Sequence, residues 1–428
     1  MTSFSKLQSK VIKSETSLSL LFSTVVVALQ TIRSHSAFFY SDDYTLIKNQ
    51  SQPISEVFNQ FNGHFMPIIQ IIYRAFIGVF GLQSYAPFLI FSGLCNLFFV
   101  FSMTYFLRFN KFSKLTIILV PSLILMVPYT AHTIFWLAVA LNLISIGLLL
   151  LHTMLSTQRA LLVSTILMSI FGIGIGGYGL PLVFGILINN ILRRKLWPAA
   201  ASVFMIIGTL AIYVNFRTAG NLAVDRSVLR WVITNFQTLI STFTPGFIDA
   251  SVIKLIVELV FYIGLMLLFL TIIQWKPREF SMYEINALTF LVPLITFVSM
   301  IAISRNGTES ITASRYMLIA SSLLTLFCLM ASKSFDLRFG ISNARLNLQI
   351  ILVVTLIFSA FFRVFYWWQA PLDINYQSSI NRSHVVNAVC DTKPGSKIEI
   401  DYAQIDGLVY FPATLDTTAW STFRKVNC

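Results

Sequence analysis

Apolar runs of roughly 17–25 residues, the length that crosses a bilayer as helix, recur along the whole chain between short polar connections. They fall near 17–36, 85–107, 115–130, 133–151, 160–177, 179–193, 197–216, 251–273, 285–303, 315–332 and 346–366. The pattern predicts an all-α polytopic membrane protein with about eleven transmembrane helices. The pair 160–193 is the least regular. Its Gly172, Gly174, Gly176, Gly177 and Gly179, followed by Pro181, fit either a re-entrant loop or a clean turn outside; helix packing or a kink accounts for them better than a phosphate cradle. A further run, 66–82, is long enough to span, yet counting it would invert every later connection.

Composition agrees with this pattern. Hydrophobic residues make up 56% of the chain, charged residues 11%, and mean hydropathy is +0.77. A soluble domain carries about a quarter of its residues charged, so this chain cannot coat a water-facing surface. The net charge of +13 sits in short clusters between apolar runs: Lys6, Lys10 and Lys13; Arg108, Lys111 and Lys114; Arg193, Arg194 and Lys195. That is positive-inside patterning, and without a continuous basic face it excludes nucleic acid as a partner.

Orientation follows. With the amino terminus inside as an uncleaved signal-anchor, the connections at 108–114, 152–159, 193–196, 274–284 and 333–345 fall inside, each with at least one Arg or Lys. Residues 1–366 then form the membrane domain and 367–428 lie outside. The expected site is a plasma membrane, with the cytoplasmic amino terminus and an extracytoplasmic carboxy terminus. The run 66–82 is expected to lie along the outer leaflet; Arg74 in its middle agrees, since a lipid-buried arginine is costly unless it snorkels or pairs. The first outer loop spans 37–84 and the second 217–250.

In the tail, the alternating runs Lys397–Tyr402 and Gly407–Phe411 predict strands in a small α/β unit. A unit of this size needs a staple or membrane docking. Cys390 and Cys428 could supply a disulfide in an oxidising compartment, whereas Cys95 and Cys328 fall in apolar segments as packing residues.

Acid is rare, with 17 Asp and Glu in 428 residues, yet Asp42 and Asp43 stand side by side just past the first span. Adjacent carboxylates repel and favour proton uptake by one of them, which suits a general base with an acidic companion. The same Ser41-Asp42-Asp43 also fits a helix N-cap ahead of Tyr44. Arg305 and Arg315 flank the loop 304–316. Arg315 could grip a phosphate bidentately while Tyr316 lines a lipid groove; interfacial anchoring is the plainer alternative. Arg217, Arg226 and Arg230 form a rival cluster, and Glu258 and Arg363 lie near the outer ends of spans. The chain has no Walker-type loop, no Gly-x-Ser-x-Gly element and no Cys or His cluster at metal-ligand spacing.

The order Ser41-Asp42-Asp43-Tyr44, an amphipathic stretch, Asn62-Gly63-His64-Phe65-Met66-Pro67, and a helix ending Phe80-Gly81 resembles the GT-C superfamily of membrane glycosyltransferases. The resemblance covers residues 36–107 in detail and only the topology beyond. It implies a polyprenyl-phosphate-linked sugar donor, an outer-face acceptor (glycan, lipid or protein), Asp42 as catalytic base and Asp43 as its companion. His64 would sit near the lipid phosphate or the acceptor, and Tyr44, Arg74 and Arg305 complete the candidate substrate contacts. The family often carries a second acid in a later outer loop. Here the connection near 130–136 offers Tyr129, His132 and Trp136 instead, so neither a metal nor any other cofactor is expected. A lipid-linked oligosaccharide flippase or other transporter is the alternative, and a non-catalytic scaffold a weaker one. Transporters place ionisable groups at mid-membrane, often in paired repeats, and neither feature is visible in this sequence.

Overall fold

The computed structural model describes residues 2–39, 43, 46–47, 53–58, 65–126, 136–176, 179–215, 232–235, 239, 280–304, 314–339, 353–354, 356–357, 368, 375–376, 378–380, 382–393, 397–400, 413–416, 420, 424–425 and 427–428. These residues are predominantly helical. The main helices are α1 (Thr2–Arg33), α2 (Pro67–Phe80), α3 (Ala86–Phe109), α4 (Lys114–Ile124), α5 (Leu137–Met154), α6 (Gln158–Gly174), α7 (Gly179–Leu192), α8 (Leu196–Asn215), α9 (Met282–Ser304) and α10 (Ser314–Phe339). Among the described residues, five stretches are long and apolar enough to cross a membrane: Ser14–Arg33, Ala86–Phe109, Leu137–Met154, Met282–Ile301 and Tyr316–Ser334. The expected span 251–273, most of 346–366, and all of the loop 217–250 except 232–235 and 239 lie outside the described residues.

Local chemistry sets several helix starts. The Ser113 hydroxyl accepts from Thr116 N–H at 3.2 Å to begin α4, and Thr157 accepts from Ala160 N–H at 3.3 Å to begin α6. At α9, Ser281 and Glu284 form a reciprocal capping box: Ser281 N–H donates to Glu284 at 2.7 Å, and Glu284 N–H donates back at 3.4 Å. The expected span 115–130 is shorter in the structure. Its helix stops at Ile124 and turns at Leu125–Met126, and residues 127–130 lie outside the described residues.

Polar side chains tie neighbouring helices inside the apolar bundle. Asn189 donates to Thr289 at 3.1 Å, Asn190 to Thr165 at 3.0 Å and Ser202 at 3.3 Å, and Ser19 meets Thr104 at 3.0 Å. Such bonds contribute about 0.6 kcal/mol each between membrane helices. At the glycine-rich stretch two helices pack closely. Gly172 of α6 and Gly179 of α7 approach so closely that a methyl group at Gly179 would overlap the Gly172 backbone.

The bundle has two chemically distinct ends. At one, Lys114 pairs with Glu15 at 2.7 Å and Arg108 donates to Thr16 at 3.4 Å. Lys333, only 3% exposed, donates there to the carbonyls of Asn110 and Lys111, capping the end of α3. Nearby, Ser334 donates to Glu284 at 3.1 Å. The opposite end gathers the end of α1, the starts of α3 and α5, and the carboxy-terminal segment in one aromatic-rich core.

At that end α2 has 14 residues, or about 21 Å at 1.5 Å per residue, well short of a ~30 Å hydrocarbon core. Pro67 starts it, and Gly81 ends it with φ of +69°, a conformation that a β-carbon would strain. In the tail, residues 382–391 are helical. Strands β1 (Lys397–Ile400) and β2 (Ala413–Asp416) pair antiparallel, with Lys397 opposite Asp416. Cys390 and Cys428 are disulfide-bonded, with α-carbons 5.5 Å apart. Closing the 38-residue separation between them restricts the unfolded chain by roughly 4 kcal/mol in the chain-entropy picture.

The α6–α7 contact yields a direct check. Gly179→Val is expected to cost about 1–3 kcal/mol or more through overpacking, seen as a lower melting temperature of the purified protein in detergent.

Candidate active site

Asp43 has no exposed surface. Two side chains distant in sequence converge on its Oδ1: the Tyr73 hydroxyl donates at 2.5 Å, and the Trp136 indole N–H donates at 3.0 Å. The first distance falls in the range of an O–H bond to a carboxylate. Tyr73 comes from α2 and Trp136 from the residue preceding α5, so one carboxyl group joins three separate parts of the chain.

The sequence of α2 explains how Tyr73 is delivered. Pro67, Ile69, Gln70, Tyr73 and Ile77 are its buried residues, and two of these five carry polar groups. Each polar group is used: Gln70 donates to the Val57 carbonyl at 3.1 Å, Tyr73 to Asp43. Arg74, half-buried, turns to the same side of the loop and donates to the Pro53 carbonyl at 3.3 Å. A cation in an apolar helix thus reaches a backbone acceptor in the preceding loop.

Aromatic rings enclose the carboxylate. Phe39 meets Tyr85 edge-on at 5.1 Å, Phe88 at 5.3 Å and Trp420 at 5.8 Å. Tyr85 stacks on Phe88 at 5.3 Å, and Tyr73 and Phe76 pack on Phe88 at 5.4 and 5.3 Å. Tyr85 immediately precedes α3, outside the spanning segment. Its buried hydroxyl has no hydrogen-bond partner within normal geometry among the described residues, although it lies against Tyr73 and the Leu137 backbone. Burial raises its pKa well above the ordinary phenol value of 10.0, and the Asp43 charge raises it further. Tyr85 therefore stays a neutral phenol beside a carboxylate throughout the physiological range.

The remaining candidates are distributed differently. Asp42, Tyr44, His64 and Arg305 lie outside the described residues, as do Arg217, Arg226, Arg230, Glu258 and Arg363. Arg315 occupies the first turn of α10, and its side chain is outside the description. Tyr316 is 1% exposed, its ring edge-on to Phe297 at 6.1 Å. The ring thus packs against α9. Among the described cations at this end, Arg33 lies over the Trp368 ring at 3.6 Å and donates to the Trp368 carbonyl at 2.8 Å.

Sequence reasoning missed Tyr73 and Tyr85 and treated Trp136 only as the lack of a second acid. The available signal was the polar pair Gln70 and Tyr73 recurring at helical spacing with Ile77 on one face of an otherwise apolar helix. Nothing local to Trp136 indicates its partner, 93 residues away.

No protein-family model matches the chain, and no curated protein is detectably similar to it.

Two outcomes are expected from this geometry. Tyr73→Phe leaves a buried carboxylate short of one donor and should lower stability by about 1–3 kcal/mol, measured as a fall in melting temperature. Because the raised pKa of Tyr85 means the folded state holds its proton longer, its contribution is intact below pH 10 and lost as pH rises above it. Tyr85→Phe should accordingly flatten the alkaline limb of the stability profile, followed by thermal unfolding between pH 9 and about 12.

Proposed function

We propose that the protein is an inverting GT-C-type membrane glycosyltransferase, moving a sugar from a polyprenyl-phosphate donor to an acceptor hydroxyl on the extracytoplasmic face. The observation that carries this reading is Asp43, fully buried and held by two long-range donors at one end of an acid-poor helical bundle. A buried carboxylate at a membrane-protein surface is expensive, and a purely structural anchor could use a neutral acceptor instead. Spending a carboxylate there supports a role in chemistry for the Asp42-Asp43 pair.

Asp42 is the base in this scheme and Asp43 its companion. Asp42 takes the proton of the acceptor hydroxyl, and the oxygen forms a bond to the anomeric carbon. The bond from that carbon to the phosphate oxygen breaks, its electron pair leaving with the lipid phosphate. One displacement inverts the anomeric centre. Arg315 and Arg305 neutralise the charge developing on the leaving group, with His64 and Tyr44 contacting substrate. The step as written uses no metal.

The finer topology belongs to the same proposal: about eleven spans, α2 lying in the outer leaflet, residues 367–428 as a small outer unit, and a plasma-membrane location with the amino terminus in the cytoplasm. The separation of the Lys and Arg cluster end from the Asp43 end supports this orientation. A flippase or transporter is the runner-up. The transferase reading is favoured because the enclosed acid lies at the bundle's end.

Mass spectrometry of surface glycans tests the assignment. Cells lacking the protein should lose one sugar substitution, and Asp42→Asn should fail to restore it, with transfer down at least about 10²-fold at normal protein level. Full restoration by Asp42→Asn would remove the base assignment.

A further inference from the structure

The carboxy-terminal segment reaches back to the aromatic core beside Asp43. Trp420 is 1% exposed and shares one apolar core with Phe38, Phe39, Val385 and Val389. Its ring lies 6.2 Å from Phe38 and 5.8 Å from Phe39, five and four residues ahead of Asp43. The same part of the chain is held a second time: Ser36 N–H donates to Asn375 at 3.1 Å, and Asn375 donates to the Arg33 carbonyl at 2.6 Å.

The part bearing Trp420 is itself locked to helix 382–391. Arg424 N–H donates to the Trp420 carbonyl at 2.9 Å, and the Arg424 side chain donates to the carbonyls of Val389 and Thr392. The disulfide between Cys390 and Cys428 closes the connection covalently. Val389, Cys390, Arg424 and Cys428 thus form a cross-linked brace behind Trp420, while the front of that ring bears on the residues leading into the acidic pair.

From this juxtaposition we infer that the disulfide-closed carboxy-terminal segment is a fixed wall of the Asp43 chamber, with Trp420 a positioning residue for the acidic loop. Trp420 packs on Phe39, whose ring also packs on Tyr85 and Phe88, and Tyr85 in turn lies beside Asp43. The role rests on the chamber geometry, and its catalytic consequence rests on the transferase reading.

Carbodiimide labelling of carboxyl groups, located by peptide mass spectrometry, reads the wall directly. In the unchanged oxidised protein Asp43 should resist labelling. Trp420→Ala should label Asp43 at least about tenfold faster, since local opening sets the rate of access to a buried group, with Trp420→Phe restoring most of the protection. Reduction of the unchanged protein with a phosphine should act in the same direction, and this comparison decides the matter if Trp420→Ala fails to fold. A melting temperature within a few degrees of the unchanged protein separates loss of the wall from global unfolding. Equal Asp43 labelling in the oxidised and reduced protein and in Trp420→Ala would overturn the inference. Increased labelling in a protein whose deletion leaves surface glycans unchanged would preserve the wall and remove the transferase reading.

Discussion

A single buried carboxyl group organises one end of this protein. In an apolar surrounding, a carboxylate must find donors or give up its charge. Asp43 finds them in Tyr73 and Trp136, and doing so fixes the entry to α5 and the whole of α2 relative to the loop after α1. Gln70 and Arg74 reinforce the arrangement by donating to the Val57 carbonyl within the short 3-10 helix Ile54–Phe58 and to the Pro53 carbonyl just before it. Asp43 is therefore held in place by contacts from distant segments.

The opposite end obeys the same rule with reversed charge. There the exposed backbone carbonyls after α3 are met by the Lys333 ammonium, and Glu284 serves both the start of α9 and the Ser334 hydroxyl. Between the two ends, the bundle relies on apolar packing and a few Asn, Ser and Thr bonds. This division confines ionic chemistry to the two ends of the bundle, and leaves its described middle to interactions that lipid does not weaken.

The aromatic enclosure gives the acidic end a second property. Tyr85, Phe88, Phe39 and Trp420 pack together in the core beside Asp43, whose full burial strengthens the electrostatic interactions it makes. In the proposed reaction, Asp43 would act through fixed charge and Asp42 through proton transfer, a division that adjacent identical residues could not show from their own chemistry. Tyr85, held neutral, adds a hydroxyl to the chamber without adding charge.

Much of the architecture was legible from residue order alone. Long apolar runs must become helices in a bilayer because backbone polar groups have no other partner there. Clustered Lys and Arg separate the two ends, Ser113 and Ser281-x-x-Glu284 mark helix starts, and rarity of acid draws attention to Asp42 and Asp43. Only the tertiary structure decided which groups surround that acid. Tyr73, Trp136 and Trp420 lie 30, 93 and 377 residues beyond Asp43, and no local period encodes a contact made by helix packing and a disulfide. Likewise Tyr316, amphipathic and well placed in sequence for an interface, is drawn inward because the contact between α9 and α10 buries its ring more completely than a lipid boundary would.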